Sequence, residues 1–301
     1  MPIRYICRAS YKLANIDYIF KIMKSNENFV DLCGGPGGFS EYILDKYSET
    51  GGIGITLRTD NASLDWKIEH FRKNIDRVRF TTTYGKPKMI GPNSDILQEG
   101  SGDLTDIDNI NFLINHVLKC NTDGVHLVTA DGAGFNEEDE QDLESIEIYQ
   151  FRLFFSEAFT ATQILKKGGN FVMKIFKTKY ACTQSLLILI GSLFEQCYIF
   201  KPCTSRVGNS ERYFIGKGFK YSPSDKIHYE FFKFALTLPD IENFMFCSVD
   251  SINQKITKYF YDTSLENLQR QYIFCEIYQS GYSYNWKNFI SLKKLATLLL
   301  S

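Results

Sequence analysis

Phe29-Val30-Asp31-Leu32-Cys33-Gly34-Gly35-Pro36-Gly37-Gly38-Phe39-Ser40 runs from an apolar strand pattern through four glycines into the start of a helix. Glycine has no Cβ and tolerates positive φ, so backbone here can come close to a ligand. The helix that follows, Ser40-Glu41-Tyr42-Ile43-Leu44, offers free N–H groups at its start, a natural seat for a carboxylate or phosphate. Ser40 stands where the third glycine of a strict G-x-G-x-x-G would fall, so the dinucleotide fingerprint is incomplete. A turn required only by strand-to-helix geometry is the plain alternative for this loop taken alone.

Around this loop the chain alternates strand and helix patterns. A helix is predicted over about Ser10 to Met23, with Leu13, Ile16, Ile19, Phe20 and Met23 on one face. Strands are predicted at Phe29–Leu32, Gly51–Leu57, Val125–Ala130, Asn170–Ile175 and Arg212–Gly216, with helices at roughly Gln141–Ile164 and Gln184–Phe194. Such alternation implies a mainly parallel sheet covered on both faces, with ligands at the carboxyl ends of the strands. From about Tyr221 the glycines thin out and helical patterns take over, at Ile252–Tyr261 and Leu265–Gln279. The division expected is a core over 1–220 and a helical extension or appendage over 221–301.

The composition is that of an ordinary globular chain of 301 residues, 44% hydrophobic and 23% charged, long enough for one large α/β domain. A net charge of −1 gives no global signature of nucleic-acid binding. Locally, though, Lys201, Arg206, Arg212, Lys217 and Lys220 face one acid, Glu211, within 201–220, a stretch suited to phosphates. The acidic run from Glu137 to Glu147 reads as a solvated face. Eight scattered cysteines form no C-x-x-C pair, which argues against zinc and a disulfide framework and fits a reducing compartment. The start lacks a signal-peptide pattern, and the longest apolar run, Leu186 to Phe194, is too short to span a bilayer. The expectation is an intracellular protein, cytoplasmic or nuclear, needing no membrane and no metal.

Four polar residues interrupt otherwise apolar settings. Lys12 lies in the first helix, Asp131 ends the strand Leu127–Ala130, Lys174 sits inside Phe171–Phe176, and Glu211 precedes Tyr213-Phe214-Ile215. A lysine within an apolar strand is costly unless paired or functional. Singly, each has a plain reading: Lys174 as a snorkelling side chain, Glu211 as a surface charge.

The segment DLCGGPGGFSEYIL resembles motif I of the FtsJ/RrmJ-like ribose 2′-O-methyltransferases, in the wording of eukaryotic and viral mRNA cap methyltransferases. The four polar residues resemble that family's Lys-Asp-Lys-Glu tetrad, in chain order and in matching context: R-A-x-x-K for Lys12, T-A-D-G for Asp131, G-G-x-F-x-x-K for Lys174 and N-S-E-R-Y for Glu211. The resemblance covers about Arg8 to Lys220. It implies a Rossmann-like class I methyltransferase fold, a mainly parallel seven-stranded sheet flanked by helices, with the C-terminal helical extension appended.

The resemblance further implies S-adenosylmethionine as methyl donor, held by Asp31, Cys33, Gly34, Gly35, Pro36, Gly37, Gly38, Phe39 and Asp131. Asp103, in a Gly-Asp-Leu-Thr segment like the family's G-D-[IL]-T, would meet the adenine amino group. A ribose hydroxyl is a poor nucleophile until it loses its proton, so Lys174 would be the general base or the group that orients the hydroxyl. To act as base it must be neutral. Burial and Lys12 push its pKa down, while Asp131 and Glu211 push it up.

The substrate expected is capped RNA. Ala130-Asp131-Gly132-Ala133-Gly134-Phe135 resembles the A-D-G-G-F of cap enzymes more than the D-M-A-P-N of bacterial ribosomal-RNA members. Residues 201–213 match the cap wording K-P-x-T-S-R-x-x-N-S-E-R-Y, with Arg206, Ser205 and Asn209 as candidate contacts to the cap or its phosphates. This implies an mRNA (nucleoside-2′-O-)-methyltransferase acting on the first transcribed nucleotide, with other capping enzymes or an RNA polymerase as partners. The short chain also suggests a viral or plasmid-borne origin. The alternatives are a ribosomal or transfer RNA 2′-O-methyltransferase, or a non-catalytic RNA-binding or polymerase-associated subunit.

Overall fold

The computed structural model describes residues 5–61, 64–71, 75, 79–89, 97–98, 100–133, 146–243, 245 and 254–279. In chain order the elements are α1 (Ala9–Phe20), β1 (Phe29–Leu32), α2 (Gly38–Lys46), β2 (Gly52–Ile55), β3 (Phe80–Thr83), β4 (Lys88–Met89) and β5 (Leu97–Gln98). They continue with α3 (Ile107–Cys120), β6 (Val125–Ala130), α4 (Ile146–Ile164), β7 (Leu165–Ile175), α5 (Ala181–Ser192), β8 (Phe194–Phe200), β9 (Arg212–Phe219), α6 (Tyr229–Leu236) and α7 (Gln254–Gln279). Seven strands form one sheet in the order β3-β2-β1-β6-β7-β9-β8, while β4 and β5 make a separate small ribbon. Pairing is parallel from β3 to β7. It turns antiparallel at β9, which lies between β7 and β8.

The order reverses between β1 and β6, and at such a switch point the two adjoining loops part and leave a crevice at the strands' carboxyl ends. Since β9 runs the other way, its beginning, not its end, reaches that crevice.

The pleat decides which residues share a face. Side chains alternate along a strand, so Val30 and Leu32, Val128 and Ala130, and Phe171, Met173 and Ile175 point to one side. They pack with α3, α4 and α5 through Leu113, Phe151, Phe155, Phe159 and Leu186, all buried. On the other side Phe29, Leu127, Val172, Tyr213 and Ile215 pack with Leu13 and Ile16 of α1 and Phe39 and Ile43 of α2. Asp31, Thr129, Asp131, Lys174 and Glu211 fall on the alternate positions that belong to this α1–α2 side. Each fully buried aromatic or large aliphatic side chain contributes roughly 1.5–3 kcal/mol.

Several boundaries differ from the sequence expectation. α1 stops at Phe20, because Lys21 turns left-handed (φ 53°) and its N–H caps Asp17 O; Met23 is buried below that turn. β7 begins at Leu165, five residues early, and α5 ends at Ser192, so Phe194 opens β8, a strand the reading had missed. β3 and α3 were also missed, although Ile110, Leu113, Ile114 and Val117 carry the 3.6-residue period and Asp106 caps α3 by accepting from Asp108 N–H. The two C-terminal helical patterns are one continuous helix, α7. Residues 141–145 of the helix predicted over Gln141–Ile164, the acidic run up to Glu144, and Gly134 and Phe135 lie outside the described residues.

Residues after 220 share the core. Phe232, Ala235, Leu236, Ile241 and Phe260 are buried with the α4 side, and Arg152 of α4 donates to the carbonyls of Leu236, Leu238 and Pro239. Among the described residues no helix is long and apolar enough to cross a membrane.

Candidate active site

β1 hands over to the glycine loop at Cys33, which has φ 53°. Gly37 is the N-cap of α2 with φ 108°, a conformation in which a Cβ would be strained, and no side chain caps the helix. The Asp31 carboxylate meets the Ser40 amide in the first turn, and the remaining start of α2 suits an anionic group. Asp31 fixes this corner from below. Its carboxylate is fully buried and accepts from Ser40 Oγ at 2.6 Å and Thr129 Oγ1 at 2.7 Å. Burial pushes its pKa up to about 6, and those two hydrogen bonds restrain the rise. Asp31 thus ties α2 to β1 and β6, and Phe39, 2% exposed, packs in the core beside Tyr213.

Neighbouring loops close on the same corner. Gly34 N–H donates to Ile55 O and Gly35 N–H to Thr56 Oγ1, joining the glycine loop to the end of β2. A Cβ at Gly102 (φ 69°) would collide with Thr56 O, so glycine alone lets the 100–103 turn lie against β2. The next residue, Asp103, accepts from Thr105 N–H and Thr105 Oγ1 on a single oxygen, Oδ1. Its Oδ2 takes no hydrogen bond among the described residues.

The four tetrad positions converge as two ion pairs. Lys174 Nζ donates to Asp131 O at 2.7 Å and lies 3.2 Å from Asp131 Oδ1. Lys12 Nζ lies 2.7 Å from Glu211 Oε2. Lys174 and Glu211 are 7% and 5% exposed, so neither is the snorkelling or surface charge of the plain readings. For Lys174 burial opposes the charge, but Asp131, Glu211 and Glu157 outweigh it and hold the pKa above the ordinary lysine value. The resting group is therefore an ammonium, and the balance struck in the sequence reading tips toward the acids. Burial likewise opposes ionisation of Asp131, yet Lys174, Lys12 and the Tyr213 hydroxyl hold it below the usual carboxylate range.

The 201–211 loop is held from within. Lys201 Nζ donates to Asn209 O, Asn209 Oδ1 and Glu211 O, and Ser205 Oγ donates to Glu211 Oε1 at 2.6 Å. Burial brings Lys201 down to about 8, with Glu211 opposing the fall. Ser205 is 2% exposed and Asn209 is engaged, so both brace the loop. Arg206 is exposed, and its guanidinium has no partner among the described residues, while its carbonyl accepts from Asn209 N–H. Gln271 of α7 donates to Gly208 O, so the C-terminal helix reaches the same loop.

Sequence reasoning missed two groups. Tyr213 Oη donates to Asp131 Oδ1 at 2.7 Å, and in register Tyr213 stands directly opposite Lys174. It lies two residues beyond Glu211, a spacing that in a strand puts both on one face. Glu157, fully buried on α4, sits under Gly132 and Cys33. An acid amid Phe154, Phe155, Ala158 and Phe159 was the signal, the same one that exposed Lys174.

Comparison with known proteins places this geometry. Cap-specific mRNA (nucleoside-2′-O-)-methyltransferase 1 of Mus musculus is 36% identical over 247 residues, covering 75% of this chain and 28% of that protein. The Homo sapiens protein of the same name is 35% identical over 247 residues with the same coverage, and that of Drosophila melanogaster 34% over 237 residues, covering 73% and 27%. The chain spans little more than a quarter of the length of these relatives. The FtsJ-like methyltransferase pattern itself matches residues 5–219, which include the glycine loop, both ion pairs and the 201–211 loop. On that match, over more than half its length, the chain belongs to the FtsJ-like methyltransferase family.

Proposed function

We propose that the chain methylates the ribose 2′-hydroxyl of the first transcribed nucleotide of capped RNA, with S-adenosylmethionine as donor. The observation that carries this reading is the meeting of Lys174–Asp131 and Lys12–Glu211 at the end of the sheet where β1 and β6 part. The residues present fit the donor. The uncapped start of α2 suits its carboxylate, and Asp103, with one oxygen unengaged, suits its adenine amino group. When bound, S-adenosylmethionine supplies an electrophilic methyl on a sulfonium.

The chain's own side chains then have distinct tasks. Lys174 accepts the hydroxyl proton, and to do so it must first release its own to solvent, so the rate rises with pH. Asp131 and Tyr213 hold Lys174 in place. The Lys12–Glu211 pair flanks the approach, steadied by Ser205 and Lys201. Arg206 meets a phosphate of the capped end. Binding and alignment of the hydroxyl supply much of the acceleration.

The test is methyl transfer from labelled S-adenosylmethionine to a short m7GpppA-started RNA, located by nuclease digestion and mass spectrometry. Label on the first ribose, lost in Lys174→Ala while donor binding stays within a few-fold, is the expected result. Transfer only to uncapped structured RNA would overturn the cap reading, and turnover retained in Lys174→Ala would remove Lys174 as proton acceptor.

A further inference from the structure

The Glu157 carboxyl is fully buried, and neither of its oxygens meets a hydrogen bond of ordinary geometry among the described residues. It projects from α4 against the backbone that follows β6. A Cβ on Gly132 would collide with Glu157 Oε1, and would also touch Cys33 Sγ, so this carboxyl fills the space directly behind the Asp131–Gly132 turn. The Cys33 thiol and the Gly132 amide approach it and favour its charge, but burial outweighs them. A buried carboxyl so sparsely partnered normally carries little structural benefit. Its position beside the reacting groups gives it another role.

We propose that Glu157 governs when Lys174 gives up its proton. This rests on the reading of Lys174 as proton acceptor. Groups on every packed element bear on the pair. Lys174 on β7 faces Asp131 after β6, Glu211 before β9 and Glu157 on α4. Asp131 in turn faces Lys12 on α1 and Tyr213 on β9, and Glu157 faces Cys33 after β1. All three acids favour the ammonium. Asp131 and Glu211 each sit in an ion pair. Glu157 has no such pair among the described residues. Burial pushes it up to about 8, with Cys33 and Lys174 opposing the rise. At neutral pH it therefore keeps its proton and withholds a third negative charge from Lys174. Above about 8 it ionises, so its charge is already in place at the higher pH where solvent removes the lysine proton. The carboxyl moderates the alkaline rise in rate, acting through Lys174 and never touching the ribose.

Glu157→Gln keeps the shape and abolishes the charge. Its kcat on m7GpppA RNA at saturating donor should rise with pH about one unit earlier than in the full-length wild type, the size expected of one nearby charge. An unmoved limb overturns the proposal, because a merely structural role alters the height of the profile and not its midpoint. A second reading needs no turnover. In protein with 13C-labelled glutamate carboxyls, one resonance should titrate near pH 8 and vanish in Glu157→Gln. Coupling is reciprocal, so Lys174→Met should move that midpoint upward. No such resonance, or a midpoint unmoved by Lys174→Met, overturns the proposal. Should the wild type leave capped RNA unmethylated while the reciprocal shift is present, the substrate assignment fails and the Glu157–Lys174 coupling stands.

Discussion

Tyr213→Phe removes one oxygen and leaves the ring, and it isolates the part played by the strand that faces Lys174. The ring is fully buried and packs beside Phe39, so a phenylalanine fills the same space with no new cavity. What is lost is a 2.7 Å hydrogen bond to a carboxylate, worth about 1.5–3 kcal/mol to stability when the acceptor is charged. The freed Asp131 oxygen keeps only Lys174, at 3.2 Å, as a near donor. Asp131 gains rotational freedom, and the lysine it orients loosens with it. If half of that energy is also lost from the transition state, turnover falls about three- to tenfold, since about 1.4 kcal/mol corresponds to a factor of ten. Urea denaturation followed by circular dichroism reads the stability, and methyl transfer at saturating donor reads the rate. Donor affinity should remain within a few-fold. Unchanged urea midpoint and unchanged kcat together would refute the role of the Tyr213–Asp131 contact.

Arg206→Ala should raise the KM for capped RNA about three- to tenfold and flatten its dependence on salt, with donor affinity unaltered; a KM equal to wild type across 50–200 mM salt, a range of the order used for phosphate contacts, would exclude a phosphate role. Asp103→Ala should weaken donor binding about tenfold by calorimetry, with kcat at saturation little changed; an unaltered dissociation constant would refute its contact with the donor. Asp17→Asn should cost about 2 kcal/mol near neutrality. Burial opposes the charge of Asp17, but Lys46, Tyr47 and Tyr42 outweigh it and lower the folded pKa below the model-peptide value of 3.8. Its contribution is therefore complete above that value and drains away as pH falls through the lower folded value. The gap between wild type and Asp17→Asn in urea should narrow as pH falls below 3.8 through the lowered folded value, and a gap independent of pH would show that charge is not involved.

Much of this site was legible because its residues break patterns. Lys174 stands out in an apolar strand, and the glycine loop announces the turn after β1. Short motifs gave the chain order of Lys12, Asp131, Lys174 and Glu211, but not their pairing. That pairing depends on β9 running antiparallel beside β7, which brings residue 211 to the carboxyl end of the sheet. Nothing local to Glu211 specifies that direction. The same holds for Asp31, taken up by Thr129 98 positions away, whereas Ser205 and Asn209 are taken up by Glu211 and Lys201 within their own loop. The boundary between α5 and β8 was missed because the apolar residues Leu186–Ile190 and Leu193-Phe194 read as one run, although Gly191-Ser192 between them marks the end of the helix. α3 carried its period plainly in Ile110, Leu113 and Val117, and its omission reflects the charged, glycine-bearing stretch before it.

The Lys12–Glu211 pair joins residues 199 positions apart, and Tyr213 reaches Asp131 across 82. Closing loops of that length is entropically costly, and contacts so far apart form late. While the chain emerges from the ribosome, α1 has its lysine long before β9 exists to receive it. The two pairs therefore complete only when the whole sheet, from β1 to its antiparallel edge, has closed. Activity then reports that assembly is finished, and a fragment ending before residue 211 would hold three of the four groups and no partner for the first.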